Sequence, residues 1–147
     1  MQIVHKLTKP RLERMALIKS VLQGYRSRLD EELQPHGITT AQLRLLWMIE
    51  ENPGASGAKV ARLCSVTPQT GQAAMAGMEA HGWIRRRASE ASERVLVAEV
   101  TPKGKRVLAK GRTIAEGLDR RLWKGIGTRE LGQVDAVLKA AVAKLAR

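Results

Sequence analysis

Residues 66–101 read VTPQTGQAAMAGMEAHGWIRRRASEASERVLVAEVT, and they decide the fold of this chain. Thr67 is a favourable N-cap, and Pro68 follows it at the first helical position, where a missing N–H costs no hydrogen bond. Gly82 comes directly after the last apolar turn, where a helix commonly ends on a glycine. Beyond Gly82 apolar and polar residues alternate on either side of a polar tip, which indicates two antiparallel strands. The stretch therefore predicts a helix with definite ends, followed by a hairpin rich in arginine.

Two short helices are predicted upstream of this stretch. Thr39 or Thr40 begins the first, and the Asn-Pro-Gly sequence at 52–54 ends it. Ser56 caps the second, over residues 57–63, whose core-facing residues are expected to be Val60, Ala61 and Leu63. Two short helices joined by a tight turn, with a hairpin behind them, predict a winged helix-turn-helix. The expected fold class is mainly α with a small β-hairpin wing.

Long amphipathic helices are predicted on both sides of this unit. From Leu12 to Leu33 the apolar residues recur every three or four positions, and two further helices begin at Thr101 and Thr128. One small winged domain cannot bury three such stripes, so we expect them to pack together and against a second copy in a two-fold dimer. The predicted division is an N-terminal dimerisation helix over 1–36, a winged DNA-binding domain over 37–104 and C-terminal dimerisation helices over 105–147.

Three acidic residues lie near the end of the first long helix: Asp30, Glu31 and Glu32. This is the less favourable end of a helix for negative charge, because the macrodipole is negative there. The simplest interpretation is a solvated last turn.

The composition points to a polyanionic partner. The chain has 26 Lys and Arg residues against 14 Asp and Glu, a formal net charge of +12. With no Phe and one Tyr it lacks the aromatic platforms on which single strands stack, so double-stranded DNA is the expected partner. No apolar run approaches the roughly 18 residues of a spanning helix, and the N-terminus has no signal-peptide stretch. We expect a cytoplasmic protein associated with the nucleoid through DNA, without a membrane partner.

Several other classes of function are disfavoured. A single cysteine excludes an internal disulfide, and three scattered histidines show no zinc-ligand spacing. No Ser-His-Asp ordering, glycine-rich phosphate loop or paired-carboxylate motif stands out. We therefore expect no metal, no cofactor and no enzymatic activity.

The helix within the opening stretch is the candidate recognition helix. Its small and apolar positions recur at helical spacing and should face the core: Gly71, Ala74, Met75 and Met78. No Lys or Arg occurs in residues 65–81, so the helix cannot make the bidentate arginine contact to guanine. Its glutamines would instead read adenine and its Thr or Ala side chains a thymine methyl, which predicts an A/T-leaning half-site. The residues expected to contact DNA from this helix are Thr67, Pro68, Gln69, Thr70, Gln72 and Ala73.

Phosphate contacts are assigned to cations outside this helix. Residues 84–106 hold seven Lys and Arg against three Glu, which predicts a steep salt dependence of binding. Arg94, near the hairpin tip, is the candidate for insertion in or beside a minor groove. Residues 85–87 alternate between the two sides of a strand, so one or two of them are expected to reach a phosphate while another braces the fold. The full set is Lys59, Arg62, Arg85, Arg86, Arg87 and Arg94.

These residues resemble the MarR family of bacterial regulators. The resemblance rests on ITTAQ at 38–42, VARL at 60–63, TPQT at 67–70, HGWIR at 81–85, Arg94, and VTPKG at 100–104. It implies a homodimeric winged-helix repressor or activator whose terminal helices form the dimer interface. It also implies a DNA affinity altered by a small phenolic or other anionic ligand, or by cysteine oxidation. The implied effector pocket lies between the dimer helices and the winged domain, near Tyr25 and Trp47, with Arg94 or Arg86 also considered.

Two positions depart from the family pattern. Ser92 stands where the family usually has an Asp two residues before the wing arginine, so an Asp-based brace between wing and recognition helix is missing. Glu90 or Glu93 is the candidate substitute. Ala73 stands where the recognition helix commonly carries an Arg, in agreement with the absence of charge on this helix.

Two alternatives remain open at this point. Cys64 lies beside the turn into the recognition helix, where oxidation would disturb DNA contact, but no second cysteine exists to resolve it, and a buried inert thiol is the simpler interpretation. The second alternative is a winged-helix module that binds protein rather than DNA. Such a module would tolerate charge reversal of its exposed cations and would bind with little salt dependence.

Overall fold

The computed structural model describes residues 10–146, with the backbone alone for Pro10 and Arg11. The helices in this range are α1 Pro10–Leu33, α2 Thr40–Glu51, α3 Gly57–Leu63, α4 Pro68–Ala80, α5 Pro102–Leu122 and α6 Thr128–Leu145. The strands are β1 Ile84–Ala88 and β2 Leu96–Val100, and a 3₁₀ turn, Gln34–His36, joins α1 to α2. The predicted fold class is confirmed. The first nine residues of the predicted dimerisation helix, and Arg147, lie outside the described residues.

Side-chain caps set the starts of the helices. The Thr39 hydroxyl accepts from the Gln42 N–H at 3.1 Å, and the Gln42 side chain accepts from the Thr39 N–H at 3.0 Å. Thr39 rather than Thr40 is therefore the N-cap of α2. The hydroxyls of Ser56, Thr67 and Thr101 each accept from the backbone N–H three residues on, at 3.0–3.2 Å. These bonds explain why the predicted beginnings of α3, α4 and α5 agree with the structure.

α4 packs against α2 and α3 through the face that its spacing predicts. Met75 and Met78 are fully buried, and Gly71 lies against α3, where an added Cβ would come within 2.9 Å of the Ala61 Cβ. The helix stops at Gly82, whose φ of 72° lies in the left-handed region that glycine adopts without strain. The sequence therefore correctly predicted where α4 starts, which of its faces is buried and where it ends.

The inward face of α3 differs from the expectation at one residue. Val60, Ala61 and Cys64 are buried, whereas Leu63 is 44% exposed. At about 100° of rotation per residue, the buried face is centred between Val60 and Ala61, and Leu63 lies about 100° away from it. Cys64, which follows the helix, occupies the core position that we had expected Leu63 to fill.

The acidic residues at the end of α1 are not a merely solvated turn. Asp30 Oδ1 accepts from both the backbone N–H and the hydroxyl of Thr40, the first residue of α2. Glu32 is paired with Arg121 near the end of α5, and only Glu31 has a local partner, Arg28, in the exposed turn. These contacts join α1 to α2 and α5, which the sequence could not show because the partners lie far apart along the chain.

The hairpin packs against the short helices. β1 and β2 pair antiparallel, with Ile84 opposite Val100 and Ala88 opposite Leu96. Ser56, the residue that precedes α3, also forms an isolated antiparallel β-bridge with Val97 of β2. Ile84 and Ala98 lie on one face of the hairpin and are buried in the core, whereas Val97, which is also buried, points to the opposite face.

Two apolar surfaces remain exposed in the single chain. No described residue of α6 is buried, and the exposed apolar side chains on this helix are Val134, Val137, Leu138, Val142 and Leu145. On α1 only the C-terminal turns are buried, at Leu29 and Leu33, whereas the exposed apolar residues earlier in the helix are Leu12, Met15, Leu17, Ile18, Val21 and Leu22. The winged domain therefore covers only part of the terminal stripes.

Candidate DNA-binding surface

The N-terminal half of α4 presents a polar face without a cation. All six residues assigned to DNA contact are exposed on or beside it: Thr67, Pro68, Gln69, Thr70, Gln72 and Ala73. The turn before the helix contains Ser65 in the left-handed region, with φ 54°, and its N–H donates to the Arg62 carbonyl at 3.0 Å. This turn lets the chain reverse between α3 and α4 within a few residues.

Lys59 and Arg62 lie on the outer face of α3. Both side chains are exposed, and neither has a carboxylate partner among residues 10–146. Their charges are therefore available to a polyanion.

Arg85 and Arg87 both form ion pairs with the same carboxylate, that of Glu99 on the opposite strand. Glu99 accepts from Arg87 Nε at 2.7 Å and from Arg85 Nη2 at 3.2 Å. These hydrogen bonds, that of Arg87 first, lower the pKa of Glu99. Because the two arginines already share a counter-ion, any phosphate contact from them has to compete with Glu99.

Arg86 points to the other side of the strand and joins the wing to α4. Its Nε and Nη2 contact Glu79 Oε2 at 2.7 and 2.6 Å, and its Nη1 donates to Gln72 Oε1 at 3.2 Å. The expected substitutes, Glu90 and Glu93, are wrong as the brace: they lie exposed in the hairpin tip, without an ion pair in the described part of the chain. The brace runs from the middle of β1 instead of from the tip.

The tip itself is held by serine hydroxyls. Ser92 Oγ accepts from the Arg94 N–H at 3.3 Å, and Ser89 Oγ accepts from the Ala91 N–H at 3.2 Å. Ser92 therefore serves a local turn where the family pattern has an Asp. The Arg94 side chain is exposed and has no carboxylate partner within residues 10–146.

Tyr25 and Trp47 both lie at a cavity away from the wing. They line a cavity of about 490 Å³ between α1, α2 and α5, together with Arg26 and Arg44. Arg112 lies over the Trp47 ring, 4.4 Å from its centroid. Burial, and to a lesser extent the nearby Asp119 carboxylate, raises the pKa of the Tyr25 hydroxyl.

Arg86 and Arg94 do not reach this cavity. They line a separate one of about 380 Å³, between α4, the start of α3 and the wing. Glu79, Arg26 and Arg44 were not among the residues predicted from the sequence, although simple spacing could have suggested them. Glu79 lies two turns after Gln72 on the same face of α4, and Arg44 lies one turn before Trp47.

The single cysteine is part of the core. The Cys64 side chain is 1% exposed, and its Sγ lies 3.8 Å from the Arg44 carbonyl oxygen. Burial raises the pKa of the thiol despite the opposing effect of the Arg44 charge. A buried thiol with a raised pKa has little thiolate character, which favours the inert interpretation over the redox one.

Two kinds of feature are absent from residues 10–146. No helix in this range is both long and apolar enough to cross a bilayer. No group of three or more His, Cys, Asp or Glu side chains in the same range could hold a metal ion.

Comparison with known proteins identifies relatives of this chain. The MarR family model matches residues 36–94, from the end of the 3₁₀ turn to the wing arginine. The HTH-type transcriptional repressor Rv2887 of Mycobacterium tuberculosis is 32% identical over 97 residues, which are 66% of this chain and 70% of that protein.

Solved structures agree with this match. The crystal structure of the M. tuberculosis MarR family protein Rv2887 in complex with salicylic acid is 27% identical, with a TM-score of 0.70 over 85% of this chain and 93% of that chain. The S. aureus MepR–DNA complex shares the fold, with a TM-score of 0.78 at 17% identity over 88% of this chain and 96% of that chain. On the basis of its fold, the exposed polar face of α4 and these relatives, the chain belongs to the MarR family of helix-turn-helix transcriptional regulators.

Proposed function

We propose that the protein is a homodimeric repressor that binds an inverted-repeat operator in duplex DNA and leaves it when a small aromatic anion binds. The observation that carries this proposal is the exposed, cation-free face of α4 beside a wing whose tip residue, Arg94, has no carboxylate partner among residues 10–146. A neutral polar helix face suits base edges, whereas a free guanidinium suits phosphates or a narrow minor groove.

The exposed terminal stripes support a dimer. α6 and the first turns of α1 carry apolar side chains that the winged domain does not cover, with Val142 66% exposed. Packing the same stripes of two copies together would remove them from water and place two recognition helices about a two-fold axis. In this arrangement residues 1–36 and 105–147 serve dimerisation, and residues 37–104 bind DNA.

The proposed DNA contacts fall into two groups. Thr67, Pro68, Gln69, Thr70, Gln72 and Ala73 would meet the bases. Lys59, Arg62 and Arg94 would be the principal phosphate contacts, because they have no carboxylate partner in the described part of the chain. The arginines of β1 would contribute less, because Glu99 and Glu79 already hold them.

Selection of bound fragments from genomic and random DNA tests the proposal. We expect an inverted repeat with half-sites about one helical turn, roughly 10 bp, apart. Gln69→Glu, which places a negative charge on the exposed face of α4, should abolish the enrichment. Gln34→Glu, the same change at an exposed residue outside α4, should preserve it. Recovery of no palindrome, or binding without salt dependence, would contradict the proposal and favour a protein-binding module.

The cavity at Tyr25 and Trp47 is the proposed effector site. Its aromatic rings would contact an aromatic ligand, and Arg26 and Arg44 would attract a carboxylate. The relative Rv2887 has been crystallised with salicylic acid, so salicylate is a suitable probe. Cysteine oxidation is not favoured as the signal, because Cys64 is buried.

Release of labelled operator by salicylate tests the effector site. We expect Arg44→Gln to raise the salicylate concentration needed for release, because it removes a charge that lines the cavity. Arg28→Gln, at an exposed α1 residue outside the cavity lining, should leave that concentration unchanged. Equal behaviour of the two variants would contradict this assignment.

A further inference from the structure

On the face of the hairpin that meets α4, only the base is buried. Ile84 and Arg86 point to the same side of β1, and Ala98 is paired with Arg86 on β2. Ile84 and Ala98 are buried, whereas Ala88 and Leu96, the next pair on this face, are both exposed. Apolar burial on this face therefore ends before the hairpin tip.

Arg86 attaches this face of the hairpin to α4. Its Nε donates to Glu79 Oε2 at 2.7 Å, its Nη2 lies 2.6 Å from the same oxygen, and its Nη1 donates to Gln72 Oε1 at 3.2 Å. Glu79 and Gln72 are about two turns apart on α4, so one guanidinium is attached to the helix at two points. Within residues 10–146 these are the only side-chain hydrogen bonds between α4 and the hairpin. The contacts to Glu79 are charge-assisted, which makes them the stronger ones.

A cavity of about 380 Å³ separates the outer part of the wing from α4. Its lining includes Arg86 and Arg94 of the hairpin and Gln72 of α4. The Arg86 side chain reaches from β1 to α4 and is 23% exposed, whereas Arg94 is exposed and has no carboxylate partner in the described part of the chain. Because packed side chains do not fill this space, the position of the wing tip relative to α4 depends on the contacts of Arg86.

We propose that Arg86, held by Glu79, is a positioning residue for DNA binding: it fixes the wing relative to α4 so that Arg94 meets the DNA backbone. This inference rests on the proposed function, because it requires α4 in a major groove with the wing beside it. It gives Glu79 an effect opposite to the one its charge alone predicts. Removing a carboxylate beside a polyanion should strengthen binding, whereas removing this one should weaken it.

Operator affinity, measured by fluorescence anisotropy with and without Arg94, tests the inference. Glu79→Gln should weaken binding to the selected inverted repeat by roughly two- to tenfold, and Arg86→Met should weaken it by a similar factor. In the Arg94→Ala background Arg86→Met should change affinity by less than about twofold, because no wing arginine is left to position. In that background Glu79→Gln should leave binding unchanged or stronger.

Glu93→Gln is the matched control, the same change at an exposed tip carboxylate without an ion pair in residues 10–146. It should bind DNA as tightly as the wild type or more tightly. Thermal denaturation without DNA shows which variants are folded at the assay temperature, and Arg86→Met tests the pair if Glu79→Gln is unfolded.

Two results would overturn the inference. One is tighter binding by Glu79→Gln than by the wild type. The other is an equal loss of affinity with and without Arg94, which would indicate that Arg86 contacts a phosphate itself or only stabilises the fold. Failure of the wild type to select any DNA would instead contradict the proposed function.

Discussion

At the scale of single residues, Gly71 shows how the helix-turn-helix depends on a missing side chain. We predict that Gly71→Ala destabilises the protein by about 1–3 kcal/mol, because its Cβ would lie 2.9 Å from the Ala61 Cβ and force α3 and α4 apart. Gly77→Ala in the same helix is the control. Its Cβ would meet nothing closer than 3.9 Å, so we expect a gain of about 0.5–1 kcal/mol from helix propensity. Urea denaturation measures both, and two changes of the same sign would contradict the packing argument.

Arg94 is the residue on which the wing assignment depends. Because its guanidinium has no carboxylate partner among residues 10–146, its charge is free to neutralise a phosphate. We predict that Arg94→Ala weakens binding to all sequences and lowers the slope of log affinity against log salt by about one. Lys124→Ala, an exposed cation beyond the end of α5, should leave the slope unchanged. Fluorescence anisotropy over a salt series distinguishes the two, and an unchanged slope in Arg94→Ala would remove Arg94 from the interface.

At the scale of elements, the hairpin carries a pH-dependent pairing. Hydrogen bonds from Arg87 and then Arg85 lower the pKa of Glu99 from its usual 4.5. A lowered folded-state pKa stabilises the folded protein above that usual value, and the stabilisation disappears as the pH falls through the folded-state pKa. We predict that Glu99→Gln reduces the loss of stability below about pH 4.5. Thermal denaturation between pH 6 and about pH 3 tests this, with Glu93→Gln at the exposed tip as control. Identical profiles for both variants would contradict it.

Most apolar residues on the stripes of α1 and α6 are exposed in the single chain, whereas those of the winged domain are largely buried. We predict that Leu138→Glu, on the exposed stripe of α6, converts a dimer to a monomer, because an unpaired carboxylate would be buried between two copies. Lys139→Glu, the neighbouring exposed residue with a polar side chain, should remain dimeric. Light scattering at micromolar concentration measures both. A monomeric wild type, or a dimeric Leu138→Glu protein, would contradict the proposed architecture.

At the scale of the whole molecule, contacts from the end of α1 join the long terminal helices to the winged domain. Asp30 accepts from the backbone N–H of Thr40 at the start of α2, and Glu32 pairs with Arg121 of α5. The cavity at Tyr25 and Trp47 opens between the same three helices. Under the proposed function, a ligand in this cavity would touch the helices that set the position of α4 relative to a partner copy, which would give ligand binding a physical route to DNA affinity.

Local chemistry made much of this protein readable from its sequence. Hydroxyl caps, a proline at the first helical position and a glycine at the helix end act over three or four residues, so the bounds of α4 and the starts of α3 and α5 followed from short motifs. The charge balance, and the absence of a cation in α4, also follow from the sequence. Periodicity predicted the apolar stripes of the terminal helices, but it does not show which residues pack against them.

Only the tertiary structure decided which charges are free. Arg85, Arg86, Arg87 and Arg94 are alike in sequence, yet Glu99 holds two of them, Glu79 and Gln72 hold a third, and Arg94 has no carboxylate partner in the described residues. The tertiary structure also decided the partners of Asp30 and Glu32 at the end of α1 and the burial of Cys64 in the core. Such pairings depend on which side chains the folded backbone brings within a few ångströms, and residues 7 to 89 positions apart acquire that proximity only when the chain folds.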